Sequence, residues 1–282
     1  MDAFKRNLEK LAELAIRVGL NLEKGQEVIA TAPIEAVDFV RLLAEKAYRE
    51  GASLFTVIYG DQELARKRLA LAPEEGLDKA PAWLYEGMAR AFREGAARLA
   101  VSGSDPKALE GLPPEKVGRA QKANARAYKP ALEAITEFVT NWTIVPFAHP
   151  GWARAVFPGL PEEEAVRRLW EAIFQATRAD QEDPIAAWEA HNRALHEKVA
   201  YLNARRFHAL HFKGPGTDLV VGLAEGHLWQ GHRHERRPAL QPQPAHGGGL
   251  HRPPPGAGGG GGAGKPPPGP GGHPGGGDLR PV

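Results

Sequence analysis

Four short β-rich runs punctuate this chain: EVIATA at 27–32, SLFTVIY at 53–59, ARLAVSG at 97–103 and NWTIVPF at 141–147. Stretches with helical spacing separate them. That alternation restricts the chain to an α/β fold. Strands joined through helices run parallel, and a parallel sheet has both faces covered. The near-continuous apolar run of residues 53–59 fits a strand buried on both sides.

The helical stretches show their own period. Phe4, Leu8, Leu11, Ala15 and Val18 recur at steps of three and four, which predicts an amphipathic opening helix. Residues 35–49 place Val37, Val40, Leu43, Ala44 and Ala47 on one face, with Gly51 as the stop. Further helices are expected over 61–71, 81–94 and 183–206, and one after Pro106 capped by Ser104 or Asp105. Residues 161–178 begin with Pro161, Glu162, Glu163 and Glu164, a start matched to the helix dipole rather than an acid/base pair. HALHFKG and DLVVGL read as two strands around GPGT. The expected organisation is an N-terminal α/β domain over 1–206 with a mainly parallel sheet covered by helices, the start of a truncated second domain over 207–230, and a disordered Gly/Pro-rich tail over 231–282.

Residues 231–282 hold 17 Gly and 12 Pro, so 29 of these 52 positions are Gly or Pro. Such a composition has too little apolar surface to offset chain entropy. The segment carries five Arg and one Lys against one Glu and one Asp, a net +4, so residues 1–230 carry −2 of the overall +2. No basic face of the body argues for nucleic acid. The absence of cysteine excludes disulfides, thiolate ligands and a Cys nucleophile. It suits a reducing cytoplasm and a heat-adapted source. The N-terminus MDAFKRNLEKLAEL is too charged for a signal peptide, and no apolar run is long enough for a bilayer. A cytoplasmic protein without a membrane partner is expected.

Local chemical motifs are weak. His191 and His196 are five apart, roughly 140° around a helix, and Ala200 stands where a zinc-binding helix would need its second His after His196-Glu197. His208 and His211, three apart in a strand-like run, point to opposite faces. GPGTDL from Gly214 lacks the third Gly of a dinucleotide fingerprint and the Lys of a P-loop, and reads as a turn. SGSDP at 102–106 is not a nucleophile elbow. Trp142, Phe147, Trp152 and Phe157 read as core or interface. Spacing and composition therefore supply no catalytic, cofactor-binding or metal residue.

Longer segments carry more. RVGLNLEKGQEVIATAPIEAVDFVRLLAEKAYREGA, NWTIVPFAHPGWARAVFP, DPIAAWEAHNRALHEKVAYLN and FKGPGTDLVVGLAEGHLWQG resemble the metallo-aminopeptidase family of aminopeptidases T and S over essentially residues 1–231. The resemblance implies an N-terminal α/β domain, a C-terminal catalytic domain, a homodimer, a peptide substrate trimmed from its N-terminus, and two divalent metal ions (zinc, cobalt or magnesium). The mechanism it implies is metal-assisted hydrolysis with a Glu as general base. The family's metal ligands, Glu, His, Tyr and Asp, lie in segments of the types PTEEVFTAP, ENxxxH and HVD. This chain has none of the three, so no ligand carries over and the ions are not expected to bind it specifically.

The departure from the family begins after Gly231. Read one base later with permitted codons, PAHGGGLHRPP at 244–254 can encode PTEEVFTAP, the segment in which the family places its first ligand. A reading-frame shift in GC-rich coding sequence accounts for this and for the Gly/Pro excess. The expectation is thus a metallo-aminopeptidase by descent, inactive as written. His232, His234, His246, His251 and His273 offer only adventitious nickel or zinc binding. HALHFKG and DLVVGL would be left with exposed edges. The alternative is a non-enzymatic α/β binding module with a basic disordered tail.

Overall fold

Strand β1 (Glu27–Pro33) is flanked on both sides and is the hub of a four-stranded sheet. Its neighbours are β2 (Leu54–Gly60) on one side and β3 (Ala97–Ser102) on the other, with β4 (Trp142–Pro146) outside β3. All three pairings are parallel. The computed structural model describes residues 2–230; the segment 231–282, with its five histidines and its expected disorder, lies outside the described residues.

Side chains alternate across the sheet, as strand geometry requires. Val28, Ala30 and Ala32 of β1, Leu99 and Val101 of β3, and Val145 of β4 face one cluster. They meet α1 (Ala3–Leu14), α2 (Val37–Arg49) and α8 (Glu162–Thr177) through Leu11, Phe39, Leu43, Leu169, Trp170 and Phe174. Ile29 points to the opposite face, against Met88 and Phe92 of α5 (Ala82–Arg93) and Ala131 and Ile135 of α6 (Pro114–Thr136). The expected parallel sheet covered by helices is therefore the fold. Phe147 packs edge-on against Trp170 at 5.5 Å and stacked on Phe39 at 6.5 Å; Trp152 and Phe157 pack against the same cluster. Trp142 is exposed.

Two helices depart from the sequence expectation. The helix expected after Pro106 begins eight residues later, at Pro114. Residues 105–112 form successive three-residue turns instead, and the Asp105 carboxylate accepts from the Lys107 amide at 2.8 Å. Gly111, at φ +81°, and the Pro113-Pro114 pair stop a helix from propagating through this stretch. A short helix, α7 (Pro150–Val156), follows β4 where none was expected. The opening helix also runs on as a π-helical segment, Ala15–Leu20, which ends at Asn21 in the left-handed region.

α3 (Gln62–Leu71) and the single turn α4 (Glu74–Leu77) follow β2. Arg119 of α6 bonds both Glu74 and Asp78 at 2.5 Å, and Lys116 reaches Glu74 at 3.0 Å. The Lys116 hydrogen bond holds the Glu74 carboxyl below its ordinary range, and Arg119 does the same for Asp78. At the amino end of the sheet, Gln26 is buried. Its Nε2 donates to Gly95 O at 2.8 Å and Asn141 Oδ1 at 2.6 Å, while Asn141 Nδ2 donates to Leu20 O at 2.9 Å. One side-chain pair thus ties the approaches to β1, β3 and β4 to the π-helical segment.

The last helix, α9 (Pro184–Arg205), leads to the hairpin of β5 (Ala209–Gly214) and β6 (Thr217–Gly222), which pair antiparallel. The GPGT stretch is their tight turn, with Gly216 at φ +73°. Every residue of the hairpin strands except Leu210 is exposed, and neither outer edge is paired among the described residues. No helix among the described residues is long and apolar enough to cross a membrane.

Asn141→Leu strands the buried Gln26 amide, which costs about 1–3 kcal/mol; a chain of this size is expected to lose roughly 2–4 °C of melting midpoint per kcal/mol, read by circular dichroism. Arg119→Gln is expected to lower the midpoint at neutral pH. Because both carboxylates titrate below their unfolded values in the fold, their contribution is present above the ordinary carboxylate range and lost as pH falls through it. The difference between variant and parent should therefore shrink in melts carried into acid.

Candidate functional site

An open parallel sheet binds ligands outside the carboxyl ends of its strands, where the strand order reverses. Here the reversal lies between β1 and β3: the connection from β1 runs through α2 on one face, and that from β3 through α6 on the other. The walls of that crevice are the turn Ile34–Ala36 after β1 and residues 103–105 after β3.

Residues 149–151 occupy the space between those walls. His149 is 8% exposed and begins α7. Its Nδ1 accepts the Gly151 amide at 3.0 Å, which caps the helix. That bond leaves Nε2 as the protonated nitrogen of the neutral ring, and Nε2 lies 3.5 Å from Glu35 Oε1. Gly151 packs so closely on the other wall that a Cβ there would stand 2.3 Å from the Asp105 Cβ. A Cβ on Gly103 would stand 2.1 Å from Phe147 O, and the Phe147 amide donates to Ser102 O at 2.8 Å.

The loop after β3 is fixed from outside as well. The Gln62 side chain accepts from the Asp105 amide at 2.9 Å and donates to its carbonyl at 3.3 Å. Arg66 donates to Ala108 O and Glu110 O at 2.8 and 2.9 Å. Arg154 of α7 reaches the Asp105 carboxylate at 3.5 Å and pairs with Glu162. Beside this assembly, a hollow of about 370 Å³ is lined by Ser102, Ser104, Ile144, Pro146 and Trp152.

This arrangement holds loops in place and offers little chemistry. The Nδ1 atom of His149 is committed to the cap, and Nε2 faces Glu35 at 3.5 Å. Among the described residues no group of three or more His, Asp or Glu side chains gathers as a metal site would. The donor set does not fit the two ions implied by the resemblance.

The histidines flagged in the sequence lie elsewhere and apart. His191 Nδ1 lies 3.2 Å from the Arg178 guanidinium, and its ring packs edge-on against Trp188 at 5.4 Å. His196 is exposed on α9. His208 precedes β5 and accepts the Leu223 amide through its carbonyl. His211 Nε2 pairs with Asp218 Oδ1 across the hairpin at 2.6 Å. Glu162, Glu163 and Glu164 occupy the first turn of α8. The His149–Glu35 pair was not visible in the sequence, where 113 residues intervene; only the HPG run at 149–151, a capping residue before Pro, signals it.

Comparison with known proteins adds what this geometry lacks. Residues 4–243 match the model of the thermophilic metalloprotease (M29) family. The chain is 84% identical over 231 residues to aminopeptidase T of Thermus aquaticus, covering 82% of this chain and 57% of that protein. It is 41% identical over 231 residues to aminopeptidase AmpS of Bacillus subtilis, covering 82% of this chain and 56% of that one. A solved structure, wild-type AmpT from Thermus thermophilus, matches with TM-score 0.77 and 97% identity over 80% of this chain and 56% of its own. The chain thus spans a little over half the length of these relatives.

His149→Ala removes the α7 cap and is expected to cost about 1 kcal/mol, whereas His149→Asn retains a capping oxygen and should cost only part of that. Thermal melts of the two variants check the order; equal losses would mean that the contact with Glu35 carries the effect.

Proposed function

This chain belongs to the thermophilic metalloprotease (M29) family, and on that premise we propose that residues 1–206 are the non-catalytic N-terminal domain of a metal-dependent aminopeptidase. Residues 207–230 open its catalytic domain. The observation that carries this is the 84% identity over 231 residues to aminopeptidase T. The site geometry supports it: the crevice where an α/β sheet would hold a ligand is filled by His149 and Gly151, so the chemistry belongs to another part of a longer polypeptide. The exposed β5–β6 hairpin supports the boundary, since its strands bury no residue fully against the body.

The substrate in this proposal is a peptide with a free N-terminus, and the cofactor is divalent, in its finer form two ions of zinc, cobalt or magnesium. The homodimer and the cytoplasmic location come from the resemblance and from the absence of cysteine. Residues 4–243 are accounted for by the family match, and nothing favours the binding-module alternative. We include in the proposal that the 282-residue sequence as read does not turn over peptides. Residues 244–254 stand where the resemblance puts the first metal-binding segment, and they spell that segment only in a shifted frame.

Hydrolysis of a leucyl chromogenic substrate with added cobalt or zinc tests this. The 282-residue chain is expected at background. A chimera joining its residues 1–231 to the rest of aminopeptidase T is expected to turn over. Activity of the chain itself, or a folded chimera without activity, would overturn the proposal.

A further inference from the structure

Strand β3 carries a single charged residue, Arg98. The register sets it between Ile29 of β1 and Trp142 of β4, on the sheet face that packs against α5 and α6. The residue is half-buried, and its Nε is buried without a hydrogen-bond partner among the described residues. Its guanidinium enters no ion pair among them either. Acids of the helices over this face are committed elsewhere: Glu94 lies 3.0 Å from Arg90 and Glu133 3.7 Å from Lys129. A buried donor without an acceptor costs free energy, more so on a charged group, and native folds keep few of them.

The surface beside Arg98 indicates what completes it. The cluster under α5 and α6 takes in Ile29 but no side chain of β4. Trp142 and Ile144, which share Arg98's face by strand alternation, are 40% and 54% exposed. No residue of β4 is charged. From Trp142 to Pro146 this strip is about 13 Å long at 3.3 Å per residue, and it ends in the hollow lined by Ser102, Ser104, Ile144 and Trp152. One unpaired cation therefore stands beside an open, uncharged, apolar track as long as a short extended peptide.

We propose that Arg98 anchors the C-terminal carboxylate of a short peptide whose body lies along Trp142 and Ile144. A guanidinium presents its donors as a planar fork that matches a carboxylate bidentately. The charge complementarity selects the free carboxylate, and the apolar strip holds the rest. This rests on the peptide substrate proposed above and adds a preference for short peptides with an unblocked C-terminus.

NMR titration of the full 282-residue chain with N-acetyl-leucylglycylglycine tests it; the acetyl group leaves the carboxylate as the only charge and blocks aminopeptidase cleavage. The Arg98 Nε–H resonance, identified by its loss in Arg98→Met, is expected to shift saturably. The C-terminal amide of the same peptide should bind at least about tenfold more weakly, the least that a lost charge-assisted pair is worth. Arg98→Met, followed at the Ile144 amide, should abolish binding without lowering the melting midpoint, and Trp142→Ala should weaken it. Arg41→Met, whose guanidinium pairs with Asp38 on α2, should bind as the parent does. No shift, equal affinity for peptide and amide, undiminished binding in Arg98→Met, or acetate binding as tightly as the peptide would each overturn the proposal. In the chimera with the rest of aminopeptidase T the shift should persist; its loss there means that a carboxylate of that part takes the place of the peptide, and the proposal falls. Binding is read without turnover, so an active chimera that does not bind sinks this proposal alone, and an inactive one that binds sinks only the peptidase reading.

Discussion

Burial bears hardest on β1, inside the sheet. The edge strands β2 and β4 leave Leu54, Tyr59, Trp142 and Ile144 exposed, so the expectation that residues 53–59 form a strand buried on both sides is not met: as an edge strand, β2 is only partly covered. β1 is paired on both edges and buried along Val28, Ile29, Ala30 and Ala32, while the polar Glu27 and Thr31 stay partly exposed. Val28, Ala30 and Ala32 serve one helical layer and Ile29 the other. The polar residue at its approach, Gln26, is admitted because Asn141, Gly95 and Glu23 supply its partners. The helical layers on each side bury the apolar residues that β1 presents to both faces.

The strands and the long amphipathic helices were legible because each carries a local period that the fold then uses. α6 was legible only as a helix following Pro106, not in its start or extent, since its sequence QKANARAYKPALEAIT is rich in alanine and polar residues and holds Pro130 in its interior. Local pattern reads such a stretch as broken, whereas packing of Ala131, Ala134 and Ile135 against α5 sustains it. The displaced helix start has a similar origin. Asp105 is a good capping residue, but its backbone is bound by Gln62, 43 residues earlier, and its carboxylate serves a turn. No local window contains that information.

The site was less legible than the fold. Motif spacing finds side chains brought together by one element, whereas His191, His196, His208 and His211 lie apart, each with its own local partners or exposed. The crevice is made by three separated segments, around residues 35, 105 and 149, that meet only once the sheet has formed. Family likeness reached further than spacing because it reads the whole order of segments.

Filling the crevice with His149 and Gly151 has a mechanical consequence. A cleft that must admit a ligand has to breathe, and its walls keep some independent motion. Here the turns after β1, β3 and β4 are keyed together through His149, which faces Glu35, and Gly151, which packs on Asp105, so this end of the sheet is braced as an abutment.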